Sequence, residues 1–442
     1  MPFDIPIPMN PSIAETTVTA SRGTKSSRLD YLDATRAFAL VLGILFHACL
    51  SFVPVYIGWA VQDISTSPMV AVFMTVSHSF RMETFFLLAG FLSHQTFHRK
   101  GARDFIRARL LRIGVPFVVG WFILHPLVIS GWIMGSASLH GHVDIGAGLR
   151  GGFQSLSTLP NGLLVGSHLW FLYYLVLITV PTVAVRELVK ASGSWHAVLI
   201  RRADSVVAWL AISPVSPMIL AIPTASALWF MRYWSIDTPD QSLVPELPSL
   251  VVYSSFFLLG WMLNREDELI PQITRLSWSR WMMSGLGITT VLLLGEIERD
   301  PGHPYYRTAH VAYAAGYALT MWSLTFLMIG ILRKLFSRPN GFVRYIADSS
   351  YWMYLLHLPV VVWLQVAVAE LPLHWSLKLA FISSITIGLS LFTYDLVVRS
   401  TFIGWILHGR RRERVIAPWI LTCFSRQWNG MKSAALRPRE GR

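Results

Sequence analysis

Ten stretches of the chain are apolar over lengths that suit a lipid bilayer, and short polar segments separate them. They are Ala34–Val55, Met69–Phe91, Ile113–Gly135, His168–Val185, Val206–Ala227, Leu247–Leu263, Trp281–Gly295, Ala309–Leu332, Tyr345–Ala367 and Trp375–Val398. A hydrocarbon layer about 30 Å thick takes about 20 apolar residues as a helix but only about ten as a barrel strand. Backbone groups in lipid must be satisfied inside the segment or around a closed barrel, so runs of this length select helices. The predicted fold is an all-α polytopic transmembrane bundle of about ten spans. Its least regular stretch surrounds Pro214, Pro217 and Pro223, since proline removes a backbone donor.

Basic residues test the count. Arg99, Lys100, Arg103, Arg107, Arg109 and Arg112 follow the second span, and Arg186, Lys190, Arg201 and Arg202 follow the fourth. Arg265, Arg275 and Arg280 follow the sixth, and Arg333, Lys334, Arg338 and Arg344 the eighth. The intervening connections carry few, and Lys and Arg gather in cytoplasmic loops, so both termini are expected in the cytoplasm. Residues 1–27 read as a disordered cytoplasmic N-terminus without the apolar region of a signal peptide, which makes the first span an uncleaved anchor. Residues 28–408 form one membrane domain. Residues 409–442 read as a basic cytoplasmic tail whose Arg, Trp, Ile and Phe suit the anionic inner membrane face. Ser136–Ser167, Gly-rich with His140 and His142, reads as a plain loop rather than a lid.

Composition narrows the class. The 442 residues are 53% hydrophobic and 14% charged, well below the roughly 25% charged residues of soluble domains. The formal charge of +13 belongs to the cytoplasmic loops, and no nucleic-acid recognition module accompanies it. Cys49 and Cys423 are expected in different compartments, so no disulfide is expected between them.

Titratable residues inside the apolar runs are the candidate chemistry. Arg36 and His47 lie on the first span, roughly 16 Å apart along a helix axis, so His47 falls near the middle of the bilayer when Arg36 sits at its surface. A titratable ring there needs a partner or a water-filled cavity. The second span holds His78, Arg81 and Glu83. Arg81 and Glu83 are two apart and face different sides of a helix, so each needs an interhelical partner, a ligand or water. Trp170, Tyr173 and Tyr174 open the fourth span and fit an interfacial aromatic belt, while His168, near water at the same end, is as readily a site residue as a surface one. His357 lies near mid-membrane, where an interhelical hydrogen bond is the plainer role. Asp395 and Arg399, four apart, fit a helix-end ion pair. Walker A, G-x-S-x-G and CxxC patterns are missing, and His94 with His98 lacks further ligands, so no metal site is expected.

Four segments carry a resemblance. Arg36-x10-His47 resembles the Arg-x10-His signature of the acyltransferase-3 family of membrane acyltransferases. Phe80–Phe91, FRMETFFLLAGF, resembles that family's FFxxSGF stretch with Ala89 in place of Ser. His168–Leu172 and Ser349–Pro359 match two further segments in order. The opening RLDYLDATRA and the ending YDLVVRSTFIGWILHG look most like the glucan-biosynthesis protein C branch, associated with succinylation of osmoregulated periplasmic glucans. The resemblance implies a bacterial inner-membrane enzyme that moves an acyl group from cytoplasmic acyl-CoA to hydroxyls of an extracytoplasmic glycan. Succinyl-CoA or acetyl-CoA would be a co-substrate, with no tightly bound cofactor; membrane lipids and other glucan-biosynthesis proteins would be partners.

In that reading His47, neutral, is the general base on the sugar hydroxyl. Arg36 and the basic loops hold CoA phosphates, and Arg81 serves the oxyanion or an acyl carboxylate. Asp33, on the order of 20 Å from His47 along the axis, pairs with Arg36 at i,i+3, while Glu83 and Asp348 both remain open as the carboxylate that orients His47. Two other readings compete: an O-acetyltransferase of lipopolysaccharide, capsule or another envelope glycan, and a proton-coupled transporter with a His47, Arg81, Glu83 and His357 relay.

Overall fold

A computed structural model describes residues 23–138, 143–157, 168–266 and 268–415, and every regular element among them is helical. The readings for residues 1–22, for His140 and His142, and for the tail beyond 415 with Cys423 lie outside the described residues. The chain runs through α1 (Gly23–Cys49), α2 (Pro68–His78), α3 (Arg81–Lys100), α4 (Ala102–Arg109), α5 (Val115–Ser138) and α6 (Ile145–Gln154). It continues with α7 (Trp170–Ala191), α8 (Ser194–Ile212), α9 (Ser216–Leu228), α10 (Leu247–Leu263) and α11 (Leu269–Ile273). The remaining helices are α12 (Trp278–Leu294), α13 (Tyr306–Leu335), α14 (Gly341–Val368), α15 (Trp375–Thr393) and α16 (Phe402–His408). A π-helical turn at Leu110–Gly114 leads into α5, and a second at Tyr394–Val398 follows α15.

Among the described residues six helices are long and apolar enough to cross a membrane, or up to seven if α8 and α9 count as one bent span. All ten apolar stretches are helical, but two are interrupted and two are short. Helices α10 and α12 have 17 residues each, which gives about 25 Å of rise and the lower limit for a span.

The expected continuous span Met69–Phe91 is corrected: it breaks at Ser79 and Phe80. The Ser79 N–H and hydroxyl both donate to the Val76 carbonyl and close α2. His78 is drawn sideways to Tyr317 and Thr238. Arg81 and Glu83 therefore open α3, where the partial positive charge of a helix N-terminus favours an acidic residue. The second interruption, between α8 and α9, bends the chain by 115°. Ser213 is extended there, Pro214 has no N–H to offer, and Pro217 occupies the first turn of α9, where its fixed φ suits a helix start.

The plain-loop reading of Ser136–Ser167 is also corrected. Its described part contains α6, capped by Asp144, which accepts from the Ala147 N–H at 2.8 Å. The glycines are contact residues rather than hinges. A Cβ at Gly152 would lie 2.3 Å from the Pro126 carbonyl oxygen and one at Gly148 2.5 Å from Met134 Cγ, so α6 lies directly on α5. The same device joins α3 to α10, where a Cβ on Gly90 or Gly260 would stand 1.9 Å from the facing carbonyl oxygen. Small residues that admit close backbone approach are the usual substitute for a hydrophobic driving force in lipid. Around this frame α1 packs on α14, α15, α13, α3 and α2, so the Arg36–His47 helix is the axis of the bundle.

Candidate active site

A cavity of about 530 Å³ follows α1, α3, α5 and α14 through the bundle. Arg36, Arg109, Arg112, Tyr351 and His408 line one end of it, and Trp59, Trp132, His125, Thr238 and Asp240 line other parts. Arg36, Gly43 and His47 all face it from α1, and Ala347 to Leu358 from α14. Each of these two stretches rises roughly 16 Å, so the cavity reaches from the Arg36 level to the depth of His47 and beyond along α5.

Three histidines meet at that depth. His47 Nδ1 lies 2.9 Å from the Gly43 carbonyl oxygen and 3.3 Å from His357 Nε2. His357 Nδ1 lies 2.7 Å from the Tyr354 carbonyl oxygen. A carbonyl only accepts, so these partners assign the proton to Nδ1 in both rings. His357 Nε2 then presents a lone pair to the His47 N–H, and His47 Nε2 is left with its own lone pair for a molecule in the cavity. His168 donates from Nε2 to the Leu355 carbonyl at 3.0 Å, and Tyr354 donates to the His168 carbonyl at 2.6 Å. These two bonds clip the start of α7 to α14. The His168 ring stands edge-on to His357 with 5.7 Å between centroids.

Other expected residues divide between cavity wall and support. Arg81 is buried and lines the cavity, its guanidinium 4.0 Å from the Phe46 ring centroid and its chain against Gly43, one turn before His47. Its Nη1 has no hydrogen-bond partner. Trp170 also lines the cavity and is buried against Phe86 and Tyr253, so it belongs to the interior rather than to an interfacial belt. His78 stacks on Phe46 and points to Tyr317 and Thr238, outside the histidine cluster.

Among the described residues no carboxylate orients His47. Glu83 is fully buried with both oxygens lacking a hydrogen-bond partner, and Asp348 pairs with Arg412. The group beside the His47 Nδ1–H is His357 instead. Arg36 pairs with Asp33 at 3.1 Å and donates to the Ala347 carbonyl at 2.7 Å, which aims it along α14. Asp395 and Arg399 bind the chain after α16: Asp395 accepts from the Val415 N–H at 2.9 Å, and Arg399 Nε donates to the Glu413 carbonyl at 2.5 Å. Arg109 donates to the Ser93 hydroxyl, one turn beyond Ala89, at the cavity wall.

The far wall was not anticipated. Gln365 donates to the His47 and Ala48 carbonyls at 2.9 and 3.2 Å and accepts from Trp59 Nε1 at 2.9 Å. The connection from α1 to α2, which carries Trp59, is tied down by Asp63 and Lys378, 2.6 Å apart with side chains 1% and 0% exposed. Lys378 also donates to the Ala369 carbonyl at 3.1 Å. A lone lysine in the apolar stretch Trp375–Val398 was the available signal for this pair, since a buried charge requires a partner. Removing one member of a buried pair leaves an uncompensated charge and costs about 3–5 kcal/mol, whereas replacing both with apolar groups is often neutral. Lys378→Met is expected to lower the thermal midpoint of the purified protein sharply, and Lys378→Met with Asp63→Leu to restore most of it. A double variant no more stable than the single one would show that the pair does not hold this connection.

Compared with known proteins, residues 29–395 match the acyltransferase-domain family model Acyl_transf_3. The chain is similar to the glucans biosynthesis protein C of Escherichia coli strain K12 and of Escherichia coli O81 strain ED1a. Each is 21% identical over 402 residues, covering 88% of this chain and 97% of the relative. The protein of that name from Escherichia coli O157:H7 is 21% identical over 399 residues, with the same shares covered. No solved structure matches the chain.

Proposed function

The chain belongs to the acyltransferase-3 family of membrane acyltransferases, and on that premise we propose that it transfers a succinyl group from cytoplasmic acyl-CoA to hydroxyls of an extracytoplasmic glycan, a periplasmic glucan in the first instance. The observation that carries this reading is the position of His47: in the last turn of α1, free at Nε2, in a cavity with an arginine cluster at one end. We place the protein in a bacterial inner membrane with ten spans and both termini cytoplasmic, which puts Arg36, Arg109 and Arg112 on the side where acyl-CoA is made. Membrane lipids and other glucan-biosynthesis proteins are its proposed partners. The transporter reading gives way to family membership, and acetyl transfer to another envelope glycan remains the runner-up within the enzyme class.

The geometry supports a direct transfer. Arg36, Arg109 and Arg112 offer charge-assisted bonds to the CoA phosphates, and the thioester reaches along α14 to the histidines. His47 Nε2 takes the proton from the acceptor hydroxyl as its oxygen bonds to the acyl carbon. The C–S bond breaks, and the proton passes from His47 to the leaving thiolate. As His47 becomes an imidazolium, its Nδ1–H bonds to the Gly43 carbonyl and to His357 Nε2 become charge-assisted and strengthen, so these contacts favour the charged transition state over the ground state. Arg81, with a free N–H beside Phe46, faces the developing oxyanion or the distal carboxylate of the succinyl group.

Mass spectra of periplasmic glucans from cells with the intact gene, a deletion, or His47→Ala at matched protein level test this reading. The substituent should be present in the first and reduced at least about 100-fold in the others, the lower range for losing a general base. A substituent that persists in His47→Ala removes the general-base assignment, and glucans unchanged by deletion move the acceptor elsewhere in the envelope. For Arg81→Ala, kcat/KM should fall about tenfold further with succinyl-CoA than with acetyl-CoA, a difference of about 1.4 kcal/mol. Equal losses would take the acyl carboxylate away from Arg81.

A further inference from the structure

Resting on the glycan-acceptor reading above, we infer that Trp59 and Trp132 form the stacking platform that receives a pyranose ring of the acceptor and turns one of its hydroxyls toward His47. Both indoles line the cavity that contains His47, and their centroids are 5.0 Å apart in an edge-to-face pair. Trp59 is tilted 34° to the His47 ring with 6.0 Å between centroids. Both rings remain partly exposed there, whereas Trp322 and Tyr253 in the packed core are about 1% exposed. An indole left open in the wall of a cavity offers contact area that packing has not consumed.

The chemistry fits a sugar better than a lipid chain or a second CoA moiety. A pyranose carries C–H bonds on its faces and hydroxyls around its rim. The faces carry partial positive charge and suit the negative π-face of an indole, and the rim needs polar partners. Trp59 has no spare donor, because its N–H is already held by Gln365, so it presents an apolar face. Thr238 and Asp240 on the α9–α10 connection supply polar groups to the same cavity. Of the cationic lining, Arg36, Arg109 and Arg112 lie at the level of the α1 N-terminal half, about 16 Å along the helix from His47, and Arg81 alone stands near it, against Gly43.

Platform and base are built as one unit. Gln365 bonds to the Trp59 ring with its oxygen and to the His47 and Ala48 carbonyls with its nitrogen. Trp132 is brought to Trp59 because α5 touches the α1–α2 connection at Gly135, where a Cβ would lie 2.2 Å from the Ala60 carbonyl oxygen. A ring docked on Trp59 is thereby registered against His47 through a single side chain.

Steady-state transfer from radiolabelled succinyl-CoA to unsubstituted glucan, prepared from the deletion strain, tests this with the full-length protein in lipid nanodiscs. Trp59→Ala and Trp132→Ala should each raise the KM for glucan about tenfold, equivalent to about 1.4 kcal/mol, while the KM for succinyl-CoA moves by less than about twofold. Trp59→Phe, which keeps an aromatic face, should recover most of the affinity. Trp132→Ala leaves the Trp59–Gln365–His47 bonds untouched and so covers the case in which Trp59→Ala does not fold. If the intact protein labels glucan but both variants keep its KM, or shift both KM values alike, the platform is refuted and the rings only support His47. An intact protein that leaves glucan unlabelled overturns the acceptor reading itself, and the platform with it.

Discussion

A titratable ring held in the middle of a membrane bundle is the constraint around which this protein is arranged. A buried imidazole without partners is costly, and here the partners are other neutral groups: the Gly43 carbonyl and the His357 Nε2 lone pair, which share the His47 Nδ1–H. His357 is fixed in turn by the Tyr354 carbonyl, and Tyr354 by the start of α7. This chain of bonds orients His47 without a fixed negative charge beside it, so Nε2 is available to take a proton. A carboxylate in the place of His357 would have to be desolvated at the same depth, a heavier penalty than that of a second neutral ring.

The surrounding helices make room for a cavity by packing tightly elsewhere. Backbones meet at Gly90 and Gly260 and at Gly148 and Gly152, and the Asp63–Lys378 pair holds the connection that walls the cavity beside Trp59. The breaks in the helices serve the same purpose. The interruption at Ser79 and Phe80 delivers Arg81 to the cavity at a helix start, and the π-helical turn before α5 brings Arg109 and Arg112 to its wall. π-helical turns occur frequently at functional sites.

Much of this arrangement was legible in the sequence because it rests on periodicity and depth. Arg36 and His47 are joined by a regular helix, so their separation followed from rise per residue alone. His168 and His357 stood out as polar residues in apolar runs. What escaped depends on contacts between distant segments. No glycine or proline marks the break after His78; it comes from Ser79 bonding back to Val76 and from His78 reaching Tyr317 and Thr238. The Gly-rich segment around α6 read as a plain loop, whereas its glycines are points of helix contact. Glu83 and Asp348 had to be offered as partners for His47, because which side chain faces Nδ1 depends on how α14 crosses α1. Trp59 and Gln365 gave no signal at all, being an aromatic residue in a connection and an amide in a span.

The central claim is that donor and acceptor meet at His47 from opposite faces of the membrane. Proteoliposomes of one orientation test it directly, with labelled succinyl-CoA at the face bearing Arg36 and unsubstituted glucan sealed at the other. The account requires label to appear on the enclosed glucan with the intact protein and not with His47→Ala. Label that reaches glucan only when both substrates share one compartment would contradict it.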